Sequence, residues 1–239
     1  MKFNRPTLVT LTAPTSSGKT FLLNELVARG LAGRIVSTTT RNKRVGELEG
    51  VDYYFCSDHT SRKLEEAGFF FELIEFNGIR YGVTTDEMHA KMSALIAPAV
   101  VLEPQGLEIY RKKCVENGWD MFSIYIHATE AVRLERLHQR TLKDMELKVL
   151  ETDDSNFSEQ LWAQLNNLLH THTKRVLSIT GDERRWSQVA RWDVIVPGDD
   201  IEKAISLIED GVTWCNRRRA EPKAIGAVSL PLNAALPRM

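Results

Sequence analysis

The segment Ala13-Pro14-Thr15-Ser16-Ser17-Gly18-Lys19-Thr20 lies between the apolar run Thr7–Thr12 and a stretch in which Phe21, Leu22, Leu26 and Val27 recur at helical spacing as far as Gly30. A strand, a glycine-containing turn and a helix start together make a phosphate cradle. Backbone N–H groups of the turn and the free N–H groups of the first helical turn converge on anionic oxygens. In this pattern Lys19 reaches the β- and γ-phosphates of a nucleotide and the Thr20 hydroxyl ligates Mg2+. ATP and Mg2+ are therefore the expected cofactors. Ala13 stands where the strict pattern has glycine, and its Cβ is penalised if that position needs φ > 0.

Outward from this loop, apolar runs alternate with helical patterns, which predicts an α/β fold on a parallel sheet. After the first strand, Arg34–Thr38 reads as the second, Ala99–Leu102 as the third, Met121–His127 as the fourth and Trp192–Val196 as the fifth. A helix around Ile201–Ile208 follows the last of these. Residues 40–84 break the rhythm with short β-like runs (Asp52–Cys56, Phe70–Glu75, Ile79–Val83) around a polar helix near Ser61–Ala67. This predicts a small, mostly β insertion, and a helix over Asp86–Leu95 then returns the chain to the sheet. Residues 129–189 form a long, polar helical region with a loop-like Glu151–Ser158, the place for a mobile lid. The expected division is a core of 1–39, 85–128 and 190–215, an insertion of 40–84, a lid of 129–189 and a tail of 216–239. That tail opens near Arg217, Arg218 and Arg219, contains Pro222, Pro231 and Pro237, and is expected to be irregular.

Of the 239 residues, 26% are charged and 43% hydrophobic, the balance of a soluble globular protein. The net charge of −1 gives no global field toward a nucleic acid polymer or a membrane, so phosphate must be held locally by arginines and amides. No apolar run is long enough to span a bilayer, and the N-terminus reads as a strand rather than a signal peptide. Cys56, Cys114 and Cys215 are too widely spaced for a metal or redox motif and read as thiols in a reducing cytoplasm. His170 and His172 lack a third ligand at metal spacing and read as solvated.

With the loop in place, the segment from Ser37 through Thr38-Thr39-Thr40-Arg41-Asn42-Lys43-Arg44-Val45-Gly46-Glu47 to Asp52-Tyr53-Tyr54-Phe55 closely resembles the guanylate kinase family. Phe71-Glu72 through Gly78-Ile79-Arg80-Tyr81-Gly82 is similar to that family's acceptor-site hairpin, Glu103-Pro104-Gln105-Gly106 to its Asp-x-Gln-Gly motif, and Arg136-Leu137-His138-Gln139-Arg140 to the start of its lid. The resemblance implies a three-layer P-loop NTPase fold with a five-stranded parallel sheet, a nucleoside monophosphate-binding insertion and an extended helical lid. It implies phosphoryl transfer from ATP to GMP or dGMP; the compartment expected from the thiols is cytoplasmic, and the chain is expected to act as a monomer or homodimer. It places the acceptor phosphate against Arg41, Arg44, Tyr53 and Tyr81, and guanine recognition on Ser37, Glu72 and Glu103. Arg136, Arg140 and Arg175 join Lys19 around the transferring group.

The residue chemistry is consistent with this. Two guanidinium forks three residues apart can hold one phosphate. Guanine presents two adjacent donors on its Watson–Crick edge, and an ionised carboxylate is an acceptor-only fork that matches them, whereas adenine presents one donor and one acceptor. The sequence departs from the family at Val101, where an acidic residue supports Mg2+. It also departs at Glu103, which replaces Asp, at Val83, where a small hydroxyl residue is usual, and in the length between Arg140 and Arg175. Metal support then falls to Thr20, the phosphates and waters, or to Glu103. The extra piece, around Lys143–Thr171, carries Leu161, Trp162, Leu165, Leu168 and Leu169 at helical spacing. It reads as a packed helical insertion, with a subunit contact or altered substrate choice as alternatives. A kinase with a changed acceptor and a non-catalytic binding module are the other readings of the whole chain. Retention of Gly18-Lys19-Thr20 and the lid arginines speaks against the module.

Overall fold

The computed structural model describes residues 6–44, 46–76, 78–93, 97–150, 159–189 and 192–220, with backbone alone at 104–105, 159–160, 180–189 and 212–220. In chain order the elements are β1 (Thr7–Thr12), α1 (Lys19–Ala28), β2 (Gly33–Arg34), β3 (Ser37–Thr39), β4 (Tyr53–Phe55), α2 (Asp58–Glu66), β5 (Phe70–Phe76), β6 (Ile79–Thr84) and α3 (Thr85–Met92). They continue with β7 (Pro98–Leu102), α4 (Pro104–Glu116), β8 (Asp120–His127), α5 (Glu130–Leu150), α6 (Glu159–Val189), β9 (Val194–Pro197) and α7 (Ile201–Ala220).

Five strands form a wholly parallel sheet in the order β2-β7-β1-β8-β9. β1, at its centre, is buried along its whole length, its three threonines included, because helices cover both faces of the sheet. On one face Leu22, Leu23 and Leu26 of α1 and Ala204, Ile205 and Ile208 of α7 pack against Val9 and Leu11. On the other, Met88 and Met92 of α3 and Leu107, Tyr110 and Cys114 of α4 pack against Leu8 and Val100. Adjacent residues Leu8 and Val9 thus point into opposite layers, as the period of a strand requires. The chain crosses from β1 to its β7 side first and to its β8 side later, so the carboxyl end of β1 is a topological switch point, where open α/β sheets bind ligands.

The second sheet has the order β4-β3-β6-β5 and mixes one parallel pair, β3 with β4, with two antiparallel pairs. Together with α2 it is the insertion that the sequence predicts, with one correction. The run Arg34–Thr38 is two strands rather than one. Gly33 and Arg34 pair with β7, while Ser37–Thr39 joins the inserted sheet. The physical cause lies in Ile35 and Val36, both buried and consecutive. The Ile35 N–H still donates to the Ala99 carbonyl of β7, whereas the Val36 N–H turns to the Glu87 carboxylate, so the chain leaves the first sheet between these two residues. The insertion accordingly begins at Ser37 rather than at residue 40.

Helices α5 and α6 pack against each other as a long hairpin, with Leu137, Leu161, Leu165 and Ile179 buried. Within the extra piece the helical spacing resolves into an inner stripe of Leu161, Leu165 and half-buried Leu168, while Trp162 and Leu169 face outward. The loop expected at Glu151–Ser158 lies outside the described residues. At the C-terminal end α7 runs to Ala220, well beyond the helix expected around Ile201–Ile208. The stretch holding Arg217–Arg219 is therefore helical rather than irregular, and 221–239 lie outside the described residues. Cys114 is buried and Cys56 is half-buried, and burial pushes the Cys114 thiol up to about 12, as expected of an inert thiol.

Candidate active site

The phosphate loop leaves β1 and enters α1 without any side-chain cap. Gly18 occupies the cap position at φ 98°, so the first N–H groups of α1 remain available to a ligand. Glycine is required there by its backbone angle. Ala13, by contrast, is fully buried and does not adopt a positive φ, so its methyl group costs nothing. Among the described residues Ser16 is the one non-glycine with positive φ, at 65°. The Lys19 ammonium donates to the carbonyl of Ala13 and stands 3.6 Å from Glu103 Oε1. Glu103 caps α4 through its backbone only, so its carboxylate is left to face the loop lysine. Thr20 is exposed on the cavity wall.

One continuous cavity of about 1220 Å³ runs from this loop to the inserted sheet. Its near end is lined by Pro14–Thr20, and its far end by Ser37, Arg44, Tyr53, Glu72 and Tyr81. Arg41 does not line it directly. Its guanidinium lies over the rings of Tyr53 and Phe55 at 5.3 and 5.8 Å and donates to Glu47 Oε1 at 2.7 Å. Glu47 also accepts the Arg44 backbone N–H at 2.8 Å and lies 3.7 Å from the Arg44 guanidinium. Burial alone pushes the Glu47 carboxyl up, but these hydrogen bonds from Arg41 and Arg44 hold it below the ordinary value. Glu47 thus fixes both arginines before any ligand arrives. Its signal in the sequence was its place three residues after Arg44, the reach of a short turn.

Glu72 is 7% exposed, and its carboxylate sits against Gly106 at the start of α4, where an added Cβ would lie 3.1 Å from Oε1. Burial pushes its carboxyl up to about 7, offset only in part by the Lys113 ammonium and the Tyr110 hydroxyl. Glu72 and Glu103 therefore sit differently. The first is buried against α4 at the inserted-sheet end of the cavity, while the second faces Lys19. Gly82, opposite Leu73 in the β5–β6 register, is required by close packing, because a Cβ there would lie 2.5 Å from the Glu72 carbonyl.

The lid helices bring further cations over the same cavity. Arg136 donates to the carbonyl of Gly198 at 2.8 Å and lies beside Gly18. Arg140, one turn further along α5, and Arg175, on α6, both line the cavity wall. Burial, then the nearby Arg175 and Arg44, lower the Arg140 guanidinium to about 10. Arg175 is lowered by burial and Arg44 in turn. Such mutual repulsion among half-buried guanidinium groups marks a site prepared for a polyanion. Asn167, His170 and Lys174 of α6 also line it, so the extra helical length contributes to the cleft wall. His172 instead turns toward α5, with Nδ1 2.9 Å from Thr141 Oγ1 and its ring edge-on to His138. Among the described residues no group of three or more His, Cys, Asp or Glu side chains could hold a metal ion. No helix among them is long and apolar enough to cross a membrane.

Sequence reasoning missed two contacts, Arg133 Nε with the Thr15 carbonyl and the approach of Gly198 to Ser17, where a Cβ would lie 2.6 Å from the Ser17 carbonyl. Both join segments more than a hundred residues apart, and no local pattern announces them.

Residues 5–166 match the family model of guanylate kinase. A guanylate kinase of Desulfotalea psychrophila is 31% identical over 93% of this chain and 96% of its own. The human guanylate kinase is 26% identical over 87% of this chain and 93% of its own. The crystal structure of guanylate kinase from Anaplasma phagocytophilum superposes with a TM-score of 0.57 at 20% identity, covering 92% of this chain and 95% of that one, which establishes the shared fold. With the family model spanning the phosphate loop, the inserted sheet and most of the lid, the chain belongs to the guanylate kinase family.

Proposed function

We propose that this chain transfers the γ-phosphoryl group of ATP to GMP or dGMP, giving ADP and the corresponding diphosphate. The observation that carries the reading is the single cavity joining the phosphate loop to the buried carboxylate of Glu72. One nucleotide lays its phosphates along Ala13–Thr20. The other sets its base against Glu72 and Ser37, and its phosphate against Arg44, Tyr53, Tyr81 and Arg41. In this arrangement Glu47 shares its negative charge between two arginines, so the cluster keeps net positive charge for the acceptor phosphate.

Phosphoryl transfer asks a protein for in-line placement and charge compensation more than for covalent chemistry. The nucleophile is an oxygen of the acceptor phosphate and already carries negative charge, so no general base is needed. Lys19 leaves the Ala13 carbonyl for the donor phosphates. Arg136, Arg140 and Arg175 converge on the oxygens between the two nucleotides, and closure of the α5–α6 hairpin keeps water from competing as acceptor. The donor set fits a nucleotide-borne Mg2+: the exposed Thr20 hydroxyl and the Glu103 carboxylate would hold it, while Val101 packs into the apolar core and offers no ligand. When bound, that ion neutralises charge on the β- and γ-phosphates.

The test is a coupled assay of ADP release with ATP, Mg2+ and a panel of ribo- and deoxynucleoside monophosphates. Turnover is expected with GMP or dGMP and is nearly lost in Lys19→Ala. Strong preference for AMP, CMP or TMP contradicts the guanine assignment, and GMP binding without turnover contradicts the kinase assignment.

A further inference from the structure

Arg133 is the largest fully buried side chain of the described residues and stands in the first turns of α5, one turn before Arg136. Its Nε donates to the carbonyl of Thr15 at 3.0 Å, reaching across 118 residues into the middle of the phosphate loop. The loop is itself a turn at this point. The Ser17 N–H donates to the Pro14 carbonyl at 3.3 Å, so Thr15 and Ser16 are the two central residues. Ser16 has φ 65° and Thr15 does not have positive φ, the combination that defines a type II turn. Types I and II differ by a flip of the central peptide, here Thr15–Ser16, and the type II form is the costly one when the second central residue is not glycine.

We infer that Arg133 is a positioning residue for the donor nucleotide. By holding the Thr15 carbonyl it keeps the Thr15–Ser16 peptide in the type II orientation, so that the Ser16 N–H faces the phosphates. The geometry follows from the planar trans peptide, in which C=O and N–H point in opposite directions. Arg133 is fully buried and does not line the cavity, whereas Thr15 and Ser16 do. A carbonyl turned toward Arg133 therefore turns the next N–H away from it. Without this contact the peptide can relax to the type I form, which turns the carbonyl dipole toward the incoming anion. The left-handed backbone of Ser16 is the strain, and the Arg133 hydrogen bond is what sustains it. The same helix is tied to the core one turn later, where Arg136 donates to the Gly198 carbonyl.

This inference rests on the proposed use of the loop for ATP, and the test separates the two. Binding of ATP and of GMP is measured by titration calorimetry for the wild type, Arg133→Met, Ser16→Gly and the double variant, with steady-state KM values for each nucleotide. Arg133→Met is expected to weaken ATP about tenfold, the ordinary cost of left-handed backbone at a residue with a Cβ. Its GMP affinity should stay within about twofold, since Arg133 does not line the cavity that would hold GMP. Adding Ser16→Gly to it should restore most of the ATP affinity, because glycine favours the type II form unaided. A purely structural role for Arg133 predicts no such rescue. Should Arg133→Met fail to fold, Arg133→Leu, which also lacks any donor for the Thr15 carbonyl, carries the same expectations. Parallel loss of ATP and GMP affinity, no loss of either, or a double variant no better than the single one overturns the assignment. Absence of ATP binding in the wild type would instead refute the proposed function itself.

Discussion

Under the proposed function, the buried carboxyl of Glu72 ties acceptor binding to pH. Its ordinary value is 4.5, and burial against α4 pushes it up to about 7. Guanine needs the ionised form, because a protonated carboxyl places a donor where the base presents donors. At pH 6 about one-tenth of the empty protein carries the ionised group, and at pH 8 about nine-tenths. The Kd for GMP should therefore rise about tenfold as pH falls from 8 to 6. The phosphate of GMP titrates near pH 6 and adds its own dependence. Glu72→Gln removes the first effect and keeps the second, and the difference between the two profiles is the measured quantity. Tyr110→Phe removes a group that lowers the Glu72 carboxyl, so it should move the midpoint upward. Stability carries the same signature with the opposite sign. Between 4.5 and about 7 the folded protein binds this proton more tightly than the unfolded chain does. The contribution of Glu72 therefore declines as pH rises through that window, by a total of about 3 kcal/mol. Fluorescence or calorimetric titration with GMP at half-unit steps is the assay. A GMP affinity flat from pH 6 to 8, or a profile that Glu72→Gln leaves unchanged, refutes the reasoning.

Two other substitutions probe the cleft. Arg140→Met removes one of several mutually repelling cations, a relief of about 1 kcal/mol that should raise Tm by about 2–4 °C in a scanning experiment without nucleotide. The same variant should lose about 10²–10³ in kcat, as when a single transition-state donor is removed, and a lower Tm would contradict the repulsion. Gly82→Ala forces a methyl group against the Glu72 carbonyl and should cost about 1–3 kcal/mol in urea unfolding. It should also raise KM for GMP with KM for ATP unchanged, and a neutral effect on both would show that the strand gives way freely.

How much of this was legible in the sequence varies with the range of the interactions. The phosphate loop was legible because strand, turn and helix start follow one another within a few residues, and the structure keeps them where Thr7–Thr12 and Lys19–Ala28 predicted. Arg44, Tyr53, Glu72 and Tyr81 were legible through a family resemblance, and they line one cavity with the loop. The break between Arg34 and Ser37 was not, since a run of β-forming residues looks the same whether it stays in one sheet or passes between two. The length of α7 was hidden because Arg217–Arg219 have no apolar stripe to mark a buried face. Glu103 was expected at the base; it lines the same cavity as Ser37 and Glu72, and its 3.6 Å approach to Lys19 joins residues too far apart in the chain for a local pattern to announce. Arg133 was invisible for the plainest reason: an arginine on a charged helix looks solvated until tertiary structure buries it.

In the proposed reaction the glycine-lysine loop and the arginine-tyrosine cluster of the inserted sheet, which line one cavity, hold two nucleotides at bridgeable distance. A guanosine and an adenosine joined through a chain of five phosphates tests it directly by titration calorimetry. The account predicts that the linked compound binds about a hundredfold or more tighter than ATP or GMP alone, by effective concentration, and that Lys19→Ala removes most of the gain. A linked compound that binds no tighter than the better of the two single nucleotides would contradict it.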